Sequence, residues 1–206
     1  MDIVWDPREI EKKSMAIIEE LLPELALLPT EEREIIKRVV HTTGDPGCAG
    51  MVKISPGAVE AGINAIRNGC GILTDVNMVR TGLIARRMEE FGVTAHCLIS
   101  DPEVVEQSRR EGSTRAMAAI KKGASLAQDG IVAIGNAPTA LFTLITMIDR
   151  GEARPALVVG TPVGFVGAAE SKEVLIQAGV PYITLPGTRG GSTIAATIVN
   201  ALLLLA

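Results

Sequence analysis

Apolar positions follow two rhythms along this chain. Near the start, Ile10, Ile17, Ile18 and Leu21 recur at helical spacing, with Ser14 the polar member of the same stripe. Asp6 followed by Pro7 reads as an N-cap with proline at the first helical position. A second helix opens at Thr30-Glu31-Glu32, where threonine can cap and the acids suit the positive helix end. It carries Ile35, Ile36, Val39 and Val40 and runs into His41-Thr42-Thr43-Gly44-Asp45-Pro46, where glycine and proline stop it. Beyond Ser55-Pro56-Gly57 the rhythm changes. Short, continuously apolar runs at 72–75, 94–99, 131–134, 155–159 and 181–185 read as strands. Between them, 58–67, 79–90, 113–127, 136–148, 168–178 and 192–204 read as helices, with a short one starting at Asp101-Pro102.

Uninterrupted apolar strands that alternate with helices predict βαβ units and a parallel sheet covered on both faces. The expected fold class is α/β. It is a three-layer α/β/α arrangement with a mostly parallel sheet of about five strands, preceded by a helical N-terminal extension that wraps the sheet or a partner subunit. No linker, low-complexity stretch or internal repeat divides residues 1–206, which read as a single domain.

Composition narrows the options. Hydrophobic residues make up 47% and aromatics only 2%, so aliphatic and small side chains must build the core. The net charge is −4 and no basic run or aromatic-interleaved stripe occurs, which argues against nucleic acid. Cys48, Cys70 and Cys97 are odd in number and widely spaced, so neither a disulfide framework nor a zinc site is indicated, and a reducing cytoplasm is expected. Residues 1–11 are charged and lack the apolar run of a signal peptide. The apolar stretch 194–206 is too short to span a bilayer and contains Asn200, so a buried last helix is expected rather than a membrane segment.

In an open parallel sheet, ligands bind beyond the carboxyl ends of the strands. Asp75, Ser100-Asp101, Gly135-Asn136-Ala137, Gly160-Thr161-Pro162-Val163-Gly164 and Pro186-Gly187-Thr188-Arg189-Gly190-Gly191-Ser192 follow the five strands in turn. Turn residues collect at such ends in any α/β protein, but the placement also makes a candidate binding rim. Of the two histidines, His96 lies inside a strand pattern and reads as a packed or edge-strand residue. His41 ends a helix, where it either serves as a general acid or base or simply closes the helix. The phosphate loop G-x-x-x-x-G-K-[ST], the hydrolase elbow G-x-S-x-G and any metal-ligand spacing are absent. Gly160, Gly164 and Gly167 have the wrong spacing for a dinucleotide loop. An isomerase or a binding protein fits this inventory.

Six segments resemble, in order, the precorrin-8X methylmutase family. They are Val39-Val40-His41-Thr42-Thr43-Gly44-Asp45-Pro46, Thr74-Asp75-Val76-Asn77-Met78-Val79-Arg80-Thr81-Gly82, Ser113-Thr114-Arg115-Ala116, Ile134-Gly135-Asn136-Ala137-Pro138-Thr139-Ala140-Leu141, the run from Gly160-Thr161-Pro162-Val163-Gly164 to Glu170-Ser171-Lys172, and Gly187-Thr188-Arg189-Gly190-Gly191-Ser192. One departure stands out. Many members carry two basic residues before the paired glycines, where this chain has Thr188-Arg189.

The resemblance implies an α/β homodimer and a cofactor-free isomerase of corrin biosynthesis with no resident metal. Its substrate is precorrin-8X or cobalt-precorrin-8, a disc fringed with carboxylates. A methyl group moves from carbon 11 to carbon 12 by an acid-assisted [1,5]-sigmatropic shift, giving hydrogenobyrinic or cobyrinic acid. His41 is the implied proton donor. Thr42 and Thr43 would orient its ring or touch the macrocycle, and Asp45 would hold the imidazole tautomer or cap the turn. Arg115 and Arg189 would meet carboxylates, helped by free amides where Asn136 and Ser192 open helices. Ser14, Met78, Thr81, Ala137, Gly164, Gly190 and Gly191 complete the implied substrate contacts. Arg80, Arg86 and Lys172 are weaker candidates that surface salt bridges explain equally well. Val79, Phe165 and Val166 would face the macrocycle or pack in the core. A corrinoid carrier without turnover and an unrelated phosphosugar or nucleotide isomerase remain compatible with the residues alone.

Overall fold

The computed structural model describes residues 5–206. Residues 1–4 of the charged start therefore lie outside the described part. Helices α1 (Pro7–Leu21) and α2 (Thr30–Thr43) come first, followed by strand β1 (Lys53–Ile54), α3 (Ala58–Arg67), β2 (Gly71–Thr74), α4 (Asn77–Thr81), α5 (Ala85–Phe91) and β3 (Thr94–His96). Then follow α6 (Pro102–Glu111), α7 (Arg115–Gly123), β4 (Ile131–Ile134), α8 (Pro138–Asp149), β5 (Leu157–Gly160), α9 (Ala168–Gln177), β6 (Tyr182–Thr184) and α10 (Ser192–Leu205).

The six strands form one sheet in the order β1-β6-β5-β4-β2-β3. All neighbours are parallel except β1, which pairs antiparallel with β6. The five strands expected from the sequence are present. The sixth, β1, is only two residues long, too short for an apolar run to announce it. Alternation along the strands sets the layers. Ile72, Ile131, Ala133, Leu157, Val159 and Ile183 pack with α2, α3 and α10 on one face. Leu73, Val132, Ile134 and Val158 pack with α7, α8 and α9 on the other.

Several boundaries differ from expectation, and the strand expected over 94–99 ends at His96. Thr30 is already helical and its hydroxyl caps nothing, since Pro29 holds the cap position. The helix expected over 79–90 is two helices. Asn200 on α10 explains the break: its amide accepts from Ile84 N (2.9 Å) and donates to Gly82 O (2.8 Å). The helix expected over 113–127 runs from Arg115 to Gly123 and tightens to a 3-10 turn at Ala124–Ala127. No helix among the described residues is long and apolar enough to cross a membrane. Instead α10 is a core helix, with Ile198, Val199, Ala201, Leu202 and Leu203 fully buried; each large aliphatic contributes about 1.5–3 kcal/mol by leaving water.

Candidate active site

Beyond the carboxyl ends of β2, β4, β5 and β6, the connecting loops gather around the N-terminus of α10. The chain passes from β2 to β3 on one side and then to β4 on the other. The β2–β4 boundary is thus a switch point, where α/β sheets bind ligands. Asp75 bridges it. Its buried carboxylate accepts from the backbone amides of Gly135 (3.0 Å), Asn136 (2.9 Å) and Ala137 (2.7 Å). Burial pushes Asp75 up from the ordinary carboxylate value, while the three amides pull it back. This corrects one expectation: the amides at Asn136 and Ala137 are occupied by Asp75 and are not free for a substrate. A Cβ on Gly135 would lie 2.7 Å from Ser192 Cα, so β4 and α10 meet here without room for a side chain.

The start of α10 differs. Gly191 caps it with no side-chain acceptor, and the amides of Ser192, Thr193 and Ile194 donate to no acceptor among the described residues. Gly191 N donates instead to Thr161 O (2.8 Å), and Gly164 N to Thr188 O (3.1 Å), which ties the β5 and β6 loops together. Gly190 is required by space, since a Cβ would fall 2.3 Å from Thr161 O and 2.7 Å from Pro162 O. Ser192 is buried.

His41 sits on the last turn of α2, which Gly44 closes in the left-handed region at φ 63°. The imidazole is exposed and has no hydrogen-bond partner among the described residues. Thr42 Oγ1 bonds Thr197 Oγ1 on α10 at 2.8 Å, tying the two helices. Thr43 Oγ1 donates to Val39 O (2.9 Å) and accepts from Asp45 N (3.3 Å). Both threonines therefore shape the turn rather than hold the ring.

Asp45 does not reach His41 either. Its Oδ1 accepts from Gly47 N (2.9 Å) and its Oδ2 pairs with the Arg189 guanidinium. Arg189 Nη1 also lies 3.5 Å from Cys48 Sγ. The guanidinium holds the Asp45 carboxyl below the usual carboxylate range. Of the two readings of Asp45, turn capping is the one its hydrogen bonds match, with the Arg189 pair added to it.

An open cleft of about 360 Å³ lies between these elements, lined by Thr43, Asp45, Arg189, Gly190, Val163 and Phe165 among others. Phe165 is 93% exposed, Val166 is almost as free, and Met78 is 66% exposed. Val79 is core. Gly164, at φ 143°, and Gly167 shape the loop that carries Phe165 out, and Gly167 packs on Pro138 and Phe142 of α8.

Further along the rim, Thr114 Oγ1 meets Thr139 Oγ1 at 3.1 Å, placing Arg115 beside the exposed Asn136 and the half-buried Ala137. Arg115 is exposed and forms no ion pair among the described residues. Thr81 is exposed, and its hydroxyl bonds back to Asn77 O (2.8 Å). Ser14 likewise bonds back to Ile10 O (2.8 Å) within α1. Arg86 pairs with Glu90, and Arg80 donates to Asn77 Oδ1. His96 lies on the edge strand β3, its ring 3.1 Å from Thr94 Oγ1, as the sequence pattern indicated.

Lys172 departs most from expectation. It has no surface salt bridge. It is fully buried, and its Nζ donates to Arg189 O at 2.7 Å. Sequence reasoning gave Asp75 and Cys48 no contact of their own, and offered Lys172 only as a weaker substrate candidate or a surface salt bridge. The signal for Asp75 was position, an acid directly after a strand. Among the described residues, no group of three His, Cys, Asp or Glu side chains is placed to hold a metal ion.

A family model described as precorrin-8X methylmutase matches residues 9–205. A cobalt-precorrin-8 methylmutase of Leptospira interrogans is 43% identical, over 96% of this chain and 93% of that one. Another, of Priestia megaterium, is 45% identical over 97% and 88%. A precorrin-8X methylmutase of Pseudomonas aeruginosa is 39% identical over 98% and 97%. The solved structure of a precorrin-8x methyl mutase from Thermus thermophilus superposes with a TM-score of 0.87 at 40% identity, covering 96% of this chain and 95% of that one.

Proposed function

Because the chain belongs to the precorrin-8X methylmutase family and is an isomerase of cobalamin biosynthesis, we propose that its reaction runs on the rim between His41 and Arg115, with His41 as the proton donor. One observation carries this reading: His41 is exposed and without a hydrogen-bond partner among the described residues, next to the turn that Asp45 ties to Arg189. A carrier without turnover has no support in the relatives described above, which are named methylmutases and are covered over 88–97% of their length.

Substrate and product are isomers, so no atom is gained or lost. The migrating methyl must leave carbon 11 and bond carbon 12 within one conjugated system. Protonation of that system by His41 withdraws electron density from carbon 12, so the methyl moves there with the bonding pair of the broken carbon 11 bond and the barrier falls. The same proton returns to the imidazole once the methyl has moved. The rest of the site binds and orients. Arg189, Arg115 and the amides of Ser192, Thr193 and Ile194 are donors for the carboxylate fringe. Phe165, Val166, Val163 and Met78 offer an exposed apolar surface for the macrocycle face. Gly164 and Gly191 leave open space where backbone can approach the ligand, and Gly190 lets the turn pack on Thr161 and Pro162. Thr42, Thr43 and Asp45 fix the His41 turn, and Asn136, Ala137 and Thr81 line the far side. Ser14 contributes from α1, where its hydroxyl can still accept a hydrogen bond.

The whole chain, 1–206, acts as one domain in this reading. A homodimer is supported by the exposed apolar residues Ile10, Ile17, Leu21 and Leu27 of the N-terminal helices. A cytoplasmic setting is supported by three free cysteines. The test is a visible-absorption titration with hydrogenobyrinic acid, followed by precorrin-8X and cobalt-precorrin-8. Product binding together with substrate conversion is expected. Binding without conversion of either substrate form would contradict the catalytic assignment.

A further inference from the structure

Lys172 is the largest fully buried side chain in the molecule that carries a charge. A buried ammonium ordinarily sits against a carboxylate. This one has only the carbonyl of Arg189, 2.7 Å away, and no carboxylate within ion-pair distance among the described residues. The surrounding elements leave it alone. On α9 itself, Glu170 and Glu173 are exposed. The facing helix α8 carries only Asp149, at the opposite end from Pro138, and β5 and β6 contribute only Tyr182. Arg189, whose carbonyl it holds, turns its own guanidinium toward Asp45. Next to this turn, Thr161 is fully buried and its Oγ1 has no partner. A buried ammonium and an unsatisfied hydroxyl therefore back a single turn, whose Arg189 and Gly190 line the cleft.

We infer that Lys172 is a positioning residue for carboxylate recognition: its buried ammonium holds the Arg189 carbonyl and supplies the uncompensated positive charge behind the turn on which a substrate carboxylate docks. The inference rests on the site reading above. Burial pushes Lys172 down to about 8. A carboxylate arriving at the turn favours the charged form and raises that value. Below about pH 8 the group is charged with or without ligand, so it adds no pH dependence there. Above about pH 8 the free protein has lost the proton, binding must take it up, and affinity falls as pH rises.

The experiment is calorimetric titration of the wild type and Lys172→Met with hydrogenobyrinic acid, in two buffers of different ionisation heat. Methionine fills the space without the charge, and replacing a buried ion by an apolar group is commonly neutral for folding. The wild type is expected to take up protons at about pH 8.5–9, and to bind roughly tenfold more weakly at about pH 9.5 than at about pH 7.5, as one unit of coupled shift requires. Lys172→Met is expected to bind more weakly than the wild type at about pH 7.5, with no uptake and a flat profile. Equal uptake in both proteins, or equal affinity at the lower pH, overturns the inference. Should the variant unfold, wild-type uptake decides alone, and its absence overturns the inference. A wild type that binds no product at all overturns the site reading itself.

Discussion

Arg189 and Asp45 form an ion pair across the cleft, joining the glycine turn before α10 to the turn that closes α2 four residues past His41. The loop that carries Arg189 and the turn that follows His41 are thereby held in one frame. Arg189→Ala is expected to weaken hydrogenobyrinic acid binding about ten- to a hundredfold, the range for a hydrogen bond to a charged group. Unchanged affinity in a visible-absorption titration would remove Arg189 from the carboxylate contacts.

The same pair sets a pH dependence at the acid end. The Arg189 hydrogen bond lowers the Asp45 carboxyl below its ordinary value. A depressed carboxylate contributes stability above its unfolded value and loses it as pH falls through the folded one. Wild type and Asp45→Asn should therefore differ in urea midpoint at neutral pH and converge in acid below the ordinary carboxylate range. A difference that grows on acidification contradicts the pairing.

Arg115 is exposed, with no ion pair to lose. Arg115→Ala should leave the melting temperature within about a degree or two, as for most surface changes, while weakening product binding about tenfold or more. Loss of stability with unchanged affinity would mark it as structural.

Asp75→Ala removes the acceptor of three backbone amides at once, that of Gly135 buried and those of Asn136 and Ala137 partly so. Leaving such donors unsatisfied costs on the order of 3 kcal/mol in total, measurable as a urea-midpoint shift. Product affinity should fall as well, because the Asn136–Ala137 corner loses its anchor. A variant as stable as the wild type would show that water replaces the carboxylate without cost.

The fold was legible because its signals are local and repeated. Apolar runs such as 131–134 and the glycine and proline stops around His41 required no partner to be read. The candidates that follow strands, such as Asn136 and Arg189, lie at the carboxyl ends where this architecture puts its loops. What escaped depends on contacts distant in sequence. Asp45 and Arg189 are 144 positions apart and Asp75 and Gly135 are 60 apart. Nothing near Asp45 shows that it serves Arg189 rather than His41. Nothing near Asn136 shows that its amide is already taken. Lys172 carried the wrong expectation for a physical reason: lysine is almost never fully buried without a partner, and its carbonyl acceptor lies on another loop. The strand β1 escaped because two residues have no period.

The central claim is that His41 lends the proton for methyl migration. The most direct test is a single-turnover visible-absorption measurement on His41→Ala, beside the wild type, with precorrin-8X or its cobalt form bound at saturation. The variant is expected to bind product with wild-type affinity and to isomerise about a hundred- to ten-thousandfold more slowly, the usual contribution of a positioned acid. Isomerisation at the wild-type rate would contradict that claim.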